Sequence, residues 1–143
     1  MNFTDFITHH GKRVNRDHFI HLIQISKIDG KIEETELELL HKEGKKFGLT
    51  DPEIDKLIQS EKDHHYHPPY SLNEKFEQLY NIAEMILADD IVTESEMKMI
   101  RRFAIEAGFR DEVIAGLLKL LIEGVTKGVE EEKLLKEFRK KYM

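Results

Sequence analysis

Ile28-Asp29-Gly30-Lys31-Ile32-Glu33-Glu34-Thr35-Glu36-Leu37 closes an apolar segment and opens an amphipathic one. Sixty positions later it recurs as Ala88-Asp89-Asp90-Ile91-Val92-Thr93-Glu94-Ser95-Glu96-Met97. Upstream of the first copy, Phe19, Ile20, Leu22, Ile23, Ile25 and Ile28 are spread over most of a helix circumference. A helix of that kind belongs in the middle of a bundle. Downstream, Leu37, Leu40, Gly44 and Phe47 follow helical spacing and predict a helix over about 34–47 with this stripe inward.

The register of sixty extends well beyond the turn. Residues 19–58 lie on 79–118 without a gap. Gly48 falls on Gly108, Asp51 on Asp111, Ile54 on Ile114 and Leu57 on Leu117. Apolar stripes and helix stops recur together, so the chain reads as two copies of a three-helix unit. Neither copy can bury its apolar face alone. The expected packing is face to face about a pseudo-twofold, with the first helix of each copy at the centre.

Around this repeat the other segments fall into place. Phe3, Phe6 and Ile7 predict a short N-terminal helix ending near Gly11. Thr50-Asp51-Pro52-Glu53 is a helix start, with a cap, an early proline and an acid in the first turn. Ser71-Leu72-Asn73-Glu74 is a second capping box. Phe76, Leu79, Tyr80, Ala83, Ile86 and Leu87 mark the helix that follows it. Met97, Ile100, Phe103, Ala104 and Ala107 mark the next. Ile114, Leu117, Leu118, Leu121, Ile122 and Val125 mark a further one, and Leu134, Leu135, Phe138 and Tyr142 the last. The expectation is one all-α domain over 1–143 with seven to eight helices. Repeat A covers about 16–61, a linker 62–71, repeat B about 72–125 and a C-terminal helix 129–142.

Composition narrows the function. Cysteine is absent, which excludes disulfides, thiolate metal sites and a cysteine nucleophile, and fits a reducing, cytoplasmic setting. The net charge is −6, whereas duplex binding calls for a basic excess, so nucleic acid is not an expected partner. The basic residues near the C-terminus are diluted by Glu130, Glu131, Glu132 and Glu137. The N-terminal residues do not read as a signal peptide, and every apolar run is too short for membrane insertion. No Gly-rich phosphate loop, nucleophile elbow or His-Glu-x-x-His zinc helix occurs. The chain is therefore not expected to be an enzyme.

The acidic turns have a structural and a chemical reading. Ile32 with Leu37, and Val92 with Met97, are spaced as hydrophobic staples around an N-cap. Thr93 and Glu96 then form a capping box, with Glu33 and Glu36 in the same places less ideally. Asp29 and Asp89 suit the turn backbone. The chemical reading is a hard-cation site using Asp29, Glu33, Glu36, Asp89, Asp90 and Glu96, with a divalent cation as the sole cofactor considered. A calcium-binding EF-hand is excluded, because its first ligand positions would hold Ile25 and Lys27 in one copy and Met85 and Leu87 in the other.

Asp-Gly-x-Ile followed by Glu-x-x-Leu, then Phe-Gly-Leu-x-Asp-x-Glu-Ile, resembles TerB-like domains. The resemblance covers about residues 15–122 and rests on Ile28 to Ile32, Glu36, Phe47-Gly48-Leu49 and Asp51 to Ile54. Leu87-Ala88-Asp89-Asp90 with Glu96 is a looser second match, with Asp90 where the first copy has Gly30. It implies an all-helical module linked to tellurite resistance and stress response. Such a module also occurs in the N-terminal part of a DnaJ-type co-chaperone. Acidic patches that bind metal ions or protein partners, and no established catalysis, are implied too.

Other candidates are weaker. His64, His65 and His67 in the linker are the alternative metal ligands, but three neighbours on one segment need a distant fourth. Tyr66 and Tyr70 could anchor a self-associating scaffold, which would make the chain a homo-oligomer. The leading expectation is a non-catalytic TerB-like module that offers its acidic turns to a cation or a protein partner. The alternatives are a small enzyme with Asp29, Glu36, Asp89 and Glu96 on a metal, or that scaffold.

Overall fold

A computed structural model describes residues 6–7, 13–14, 16–28, 31–60, 66–87 and 92–142. Among these the fold is all-α, with seven helices. They are α1 (Arg16–Ser26), α2 (Glu34–Lys46), α3 (Asp51–Ser60), α4 (Leu72–Ile86), α5 (Glu94–Glu106), α6 (Asp111–Thr126) and α7 (Glu131–Tyr142). The bounds of α2 and α5 differ by sixty at both ends, and α3 and α6 start sixty apart. The chain divides into two compact units, 1–67 and 68–143.

One expectation fails at the N-terminus. In place of a helix through Phe6 and Ile7, β1 (Phe6–Ile7) pairs antiparallel with β2 (Arg13–Val14), Phe6 opposite Val14 and Ile7 opposite Arg13. Phe3 and Gly11 lie outside the described residues. A few apolar residues at helical spacing give too few turns to repay helix nucleation, and β-branched Ile7 and Val14 suit an extended pair.

In the first unit α2 packs against α1 and α3. Its start carries Glu33 at the N-cap, with the N–H of Glu33 donated to Glu36 Oε1 at 3.5 Å. Its end is a left-handed turn, with Gly48 at φ 81°, the N–H of Gly48 on the carbonyl of Lys45 and that of Leu49 on Gly44. These bonds satisfy carbonyls that the helix itself leaves open. The α3 helix opens with the expected box: the N–H of Thr50 donates to Glu53 Oε1 at 3.0 Å and that of Glu53 to Thr50 Oγ1 at 3.3 Å. Phe19, Leu22, Ile23, Ile25, Leu40, Phe47 and Ile54 are fully buried in this unit, with the Phe19 and Phe47 rings 5.7 Å apart.

The inward stripe of α2 keeps Leu40, Gly44 and Phe47 of the one read in the sequence and departs from it at the start of the helix. Leu39, Leu40, Glu43 and Gly44 are buried, while Leu37 is 36% exposed. On α1, Ile28 is 44% exposed just past the helix end. The neighbours α1 and α3 set the phase of α2, so buried Leu39 replaces Leu37. The charged Glu43 is admitted because Lys46 Nζ stands 2.8 Å from its Oε1.

In the second unit α4 is the hub, in contact with α5, α6 and α7. From Leu79 to Leu87 every residue of this stretch is buried, including the polar Asn81 and Glu84. Ser71 Oγ accepts the N–H of Glu74 at 3.1 Å and fixes the start of α4. The α5–α6 turn repeats the geometry of the first unit. Gly108 has φ 99°, its N–H bonds to Ile105 and that of Phe109 to Ala104. Phe138 of α7 meets the rings of Phe76, Phe109 and Tyr142 at 6.0, 5.8 and 5.3 Å. The Tyr80 hydroxyl donates to the carbonyl of Val129 at 2.8 Å and ties α4 to the α6–α7 turn.

Candidate functional site

The acidic turns divide into residues used by the fold and residues left in solvent. At α5 the box is complete: the N–H of Thr93 donates to Glu96 Oε1 at 2.9 Å and that of Glu96 to Thr93 Oγ1 at 3.1 Å. Glu96 is 0% exposed. At α2 the corresponding bond through Glu36 is longer and Glu36 is half-buried. Glu33, Glu34 and Glu38 are exposed beside Leu37. Asp29, Asp89 and Asp90 lie outside the described residues, as do His64 and His65, while His67 is exposed. Among the described residues no group of three His, Asp or Glu side chains is placed to hold a metal ion. No described helix is long and apolar enough to cross a membrane.

Beyond the acidic start, the exposed face of α2 forms a shallow groove. Glu34, Leu37, Glu38, His41, Lys42 and Lys45 line it. Its acids lie toward the N-terminal end and its lysines toward the C-terminal end, the polarity that the helix dipole favours.

His41 joins this face to α3. Its Nδ1 is 2.7 Å from Asp51 Oδ1, and its Nε2 is 2.8 Å from Asp55 Oδ1. Lys45 Nζ is 3.1 Å from the same Asp51 oxygen. An ionised carboxylate only accepts, so both ring nitrogens act as donors and the geometry reads as imidazolium. Burial pulls the His41 pKa down, but the hydrogen bonds to Asp51 and Asp55 and their charges outweigh it, so the net shift is upward. Hydrogen bonds from His41 and Lys45, with their charges, hold the Asp51 carboxyl below its ordinary range.

Comparison with protein-family models, curated proteins and solved structures finds no match.

Sequence spacing gave no sign of the His41 cluster. Asp51 and Asp55 are one helical turn apart, but nothing in the chain marks a histidine on another helix as their shared partner. Of the two tyrosines considered as anchors, Tyr66 is buried with its ring edge-on to His21 at 5.7 Å, which removes it as an anchor. Burial pushes the His21 pKa down against the opposing charge of Asp17. Tyr70 is fully exposed.

A second concavity, of about 390 Å³, lies within the unit 68–143. Tyr70, Leu72 and Lys75 reach it from the start of α4. Phe109, Arg110 and Val113 come from the α5–α6 turn and the first turn of α6, and Phe138 from α7. Arg139 of α7 donates a hydrogen bond to Asn73 Oδ1 and braces α7 against the start of α4. In the sequence, Gly108 to Asp111 carries only the marks of a helix stop and a helix start. The available signal was a buried-type aromatic, Phe109, next to a cation at a position where a cap residue is expected.

Proposed function

We propose that the chain is a non-catalytic helical binding module of the TerB-like type, a cytoplasmic component of a stress response, whose α2 face engages a protein partner. The proposal includes a pseudo-twofold relation between its two three-helix repeats. The observation that carries the partner reading is Leu37, 36% exposed at the start of α2 among exposed Glu33, Glu34 and Glu38. Leu37 lies in a groove with Glu34 and Glu38 at one end and Lys42 and Lys45 at the other, a charge pattern that a complementary partner could match around one apolar contact. The fitting partner presents an apolar side chain with cations toward Glu34 and Glu38 and acids toward Lys42 and Lys45.

The test uses the immobilised full chain and its Leu37→Arg variant against extract of the native cell, each with and without chelator. A partner captured by the parent and lost by the variant, at unchanged melting temperature, supports this face. Equal capture by both, or no capture, rejects it. Melting curves in millimolar Ca²⁺, Mg²⁺, Mn²⁺ and Zn²⁺ address the cation reading separately, because a native-state site raises the midpoint. A rise abolished by Asp89→Asn would assign the acidic turns to a metal instead.

A further inference from the structure

The start of α6 departs from its counterpart in a way the fold does not require. At the start of α3 the box of Thr50 and Glu53 satisfies the first turn. Sixty residues later the same two positions hold Arg110 and Val113, and no side chain caps α6. Both residues line the 390 Å³ pocket. A cap has thus been exchanged for a cation and an apolar wall at one concavity.

The pocket's chemistry is one-sided. Phe109, Val113 and Phe138 supply an apolar floor and are themselves buried. Lys75 and Arg110 supply two cations at its edge. Among the described residues Lys75 has no ion-pair partner, and Arg110 has only Glu112, with Oε2 4.0 Å from its Nε. The ammonium of Lys75 lies over the α5–α6 turn, where a β-carbon on Gly108 would stand 2.5 Å from Nζ. Gly108 therefore leaves the space that brings this cation to the pocket. The first turn of α6, which no side chain caps and which carries the exposed acids Asp111 and Glu112, borders the same space, so the attraction for an anion comes from the two cations rather than from the helix end. In a chain of net charge −6 this pairing of cations over an aromatic floor runs against the general composition. The volume falls in the range of small-molecule sites, about 300–1,000 Å³.

We propose that this pocket binds a small carboxylate with a compact aromatic body, its ring on Phe109, Val113 and Phe138 and its carboxylate between Lys75 and Arg110. The ring fills the apolar floor, and the carboxylate accepts charge-assisted hydrogen bonds from the two cations. The site is independent of the α2 face.

Naphthalene-2-carboxylate is the probe, with naphthalene-2-carboxamide as its neutral counterpart. Each is titrated into the isotopically labelled full chain while backbone amides are followed by NMR. The expected result is saturable shifts centred on residues 108–113 with the carboxylate, and binding of the carboxamide weaker by about tenfold or more. Lys75→Gln with Arg110→Gln, both at the pocket edge, should weaken the carboxylate about tenfold and leave the carboxamide unchanged. Val113→Trp, which fills the floor, should abolish binding of both probes while circular dichroism stays unchanged. Equal affinity for the two probes, indifference to loss of the cations, or shifts absent or centred elsewhere would each overturn the proposal.

Discussion

Gly44 of α2 lies so close to Phe19 of α1 that a β-carbon on the glycine would stand 3.0 Å from Cζ of the ring. Ile54 of α3 closes the other side, with Cγ1 and Cδ1 each 2.7 Å from the same point. Three helices thus meet at one missing side chain. Alanine would gain about 1 kcal/mol in helix propensity over glycine. Overpacking a core costs about 1–3 kcal/mol, and Ile54 is fully buried and stiff, so overpacking should win. Gly44→Ala is expected to lower stability by about 1 kcal/mol in urea denaturation. The residues sixty further on are Leu79, Ala104 and Ile114, a smaller side chain facing a larger one in sequence terms. Phe19→Leu with Gly44→Ala should therefore lose less than the sum of the two single losses. Strict additivity would mean that the two positions do not share this space.

His41 sets a pH dependence of definite sign. Its folded pKa is raised above the ordinary 6.5, so its contribution is complete below that value and fades as pH rises through the folded pKa. Asp51 is depressed below 3.8, so its contribution is present above that value and is lost as pH falls through the folded pKa. The cluster is strongest between the two. His21 works in the opposite sense, since its folded pKa is lowered and protonation there opposes folding. Comparing the parent with His41→Ala at each pH cancels His21. The difference in melting temperature should be larger at acidic than at alkaline pH within the histidine range. Added salt should shrink it, because Asp51 and Asp55 are more than half exposed. A difference that does not change with pH would show that the imidazolium contributes nothing.

Helix ends were more legible in the sequence than helix faces. Gly48 and Gly108 announce left-handed turns, and Thr50, Ser71 and Thr93 announce starts, because each signal works through bonds made within a few residues. Facing is a property of neighbours. The period 37, 40, 44, 47 is a valid helical stripe, yet contact with α1 and α3 turns Leu39 inward and Leu37 out. Glu43 was illegible for a related reason. It occupies the register position of the core residue Phe103, and Lys46 one turn on helps make its burial tolerable. At the candidate sites the same division holds. The capping role of Glu96 was readable from Thr93 three residues earlier, whereas His41 with Asp51 and Asp55, and Lys75 with Arg110, join different helices.

Tyr80 offers a test of the second unit's hub. Its hydroxyl bonds to the carbonyl of Val129, and burial comes first among the causes that push its pKa up, followed by the charge and hydrogen bond of Glu84. The charges of Glu131 and Glu130 add to this. Tyr80→Phe should cost about 1–2 kcal/mol, because the carbonyl of Val129 loses a donor. In an alkaline absorbance titration the parent should keep one phenol protonated until the protein unfolds, and Tyr80→Phe should remove that phenol. If the variant kept the same late-titrating phenol, the assignment to Tyr80 would be wrong.

The two acidic turns should respond unequally to the same substitution. Glu96 is 0% exposed and closes a box with bonds of 2.9 and 3.1 Å, whereas half-buried Glu36 reaches the backbone of Glu33 at 3.5 Å. Loss of a good N-terminal box costs about 1–2 kcal/mol, while a long bond at a half-exposed start contributes about 0.5 kcal/mol. Glu96→Ala is therefore expected to lower the urea midpoint clearly and Glu36→Ala only slightly, with the slope unchanged in both. Glu96→Gln separates charge from shape, since the amide oxygen can still accept the N–H of Thr93 but the negative charge at the start of α5 is gone. It should recover most of the loss of Glu96→Ala if the hydrogen bond dominates, and little of it if the carboxylate acts mainly on the helix dipole. Equal losses for Glu36→Ala and Glu96→Ala would contradict the difference in burial and bond length from which this expectation is drawn.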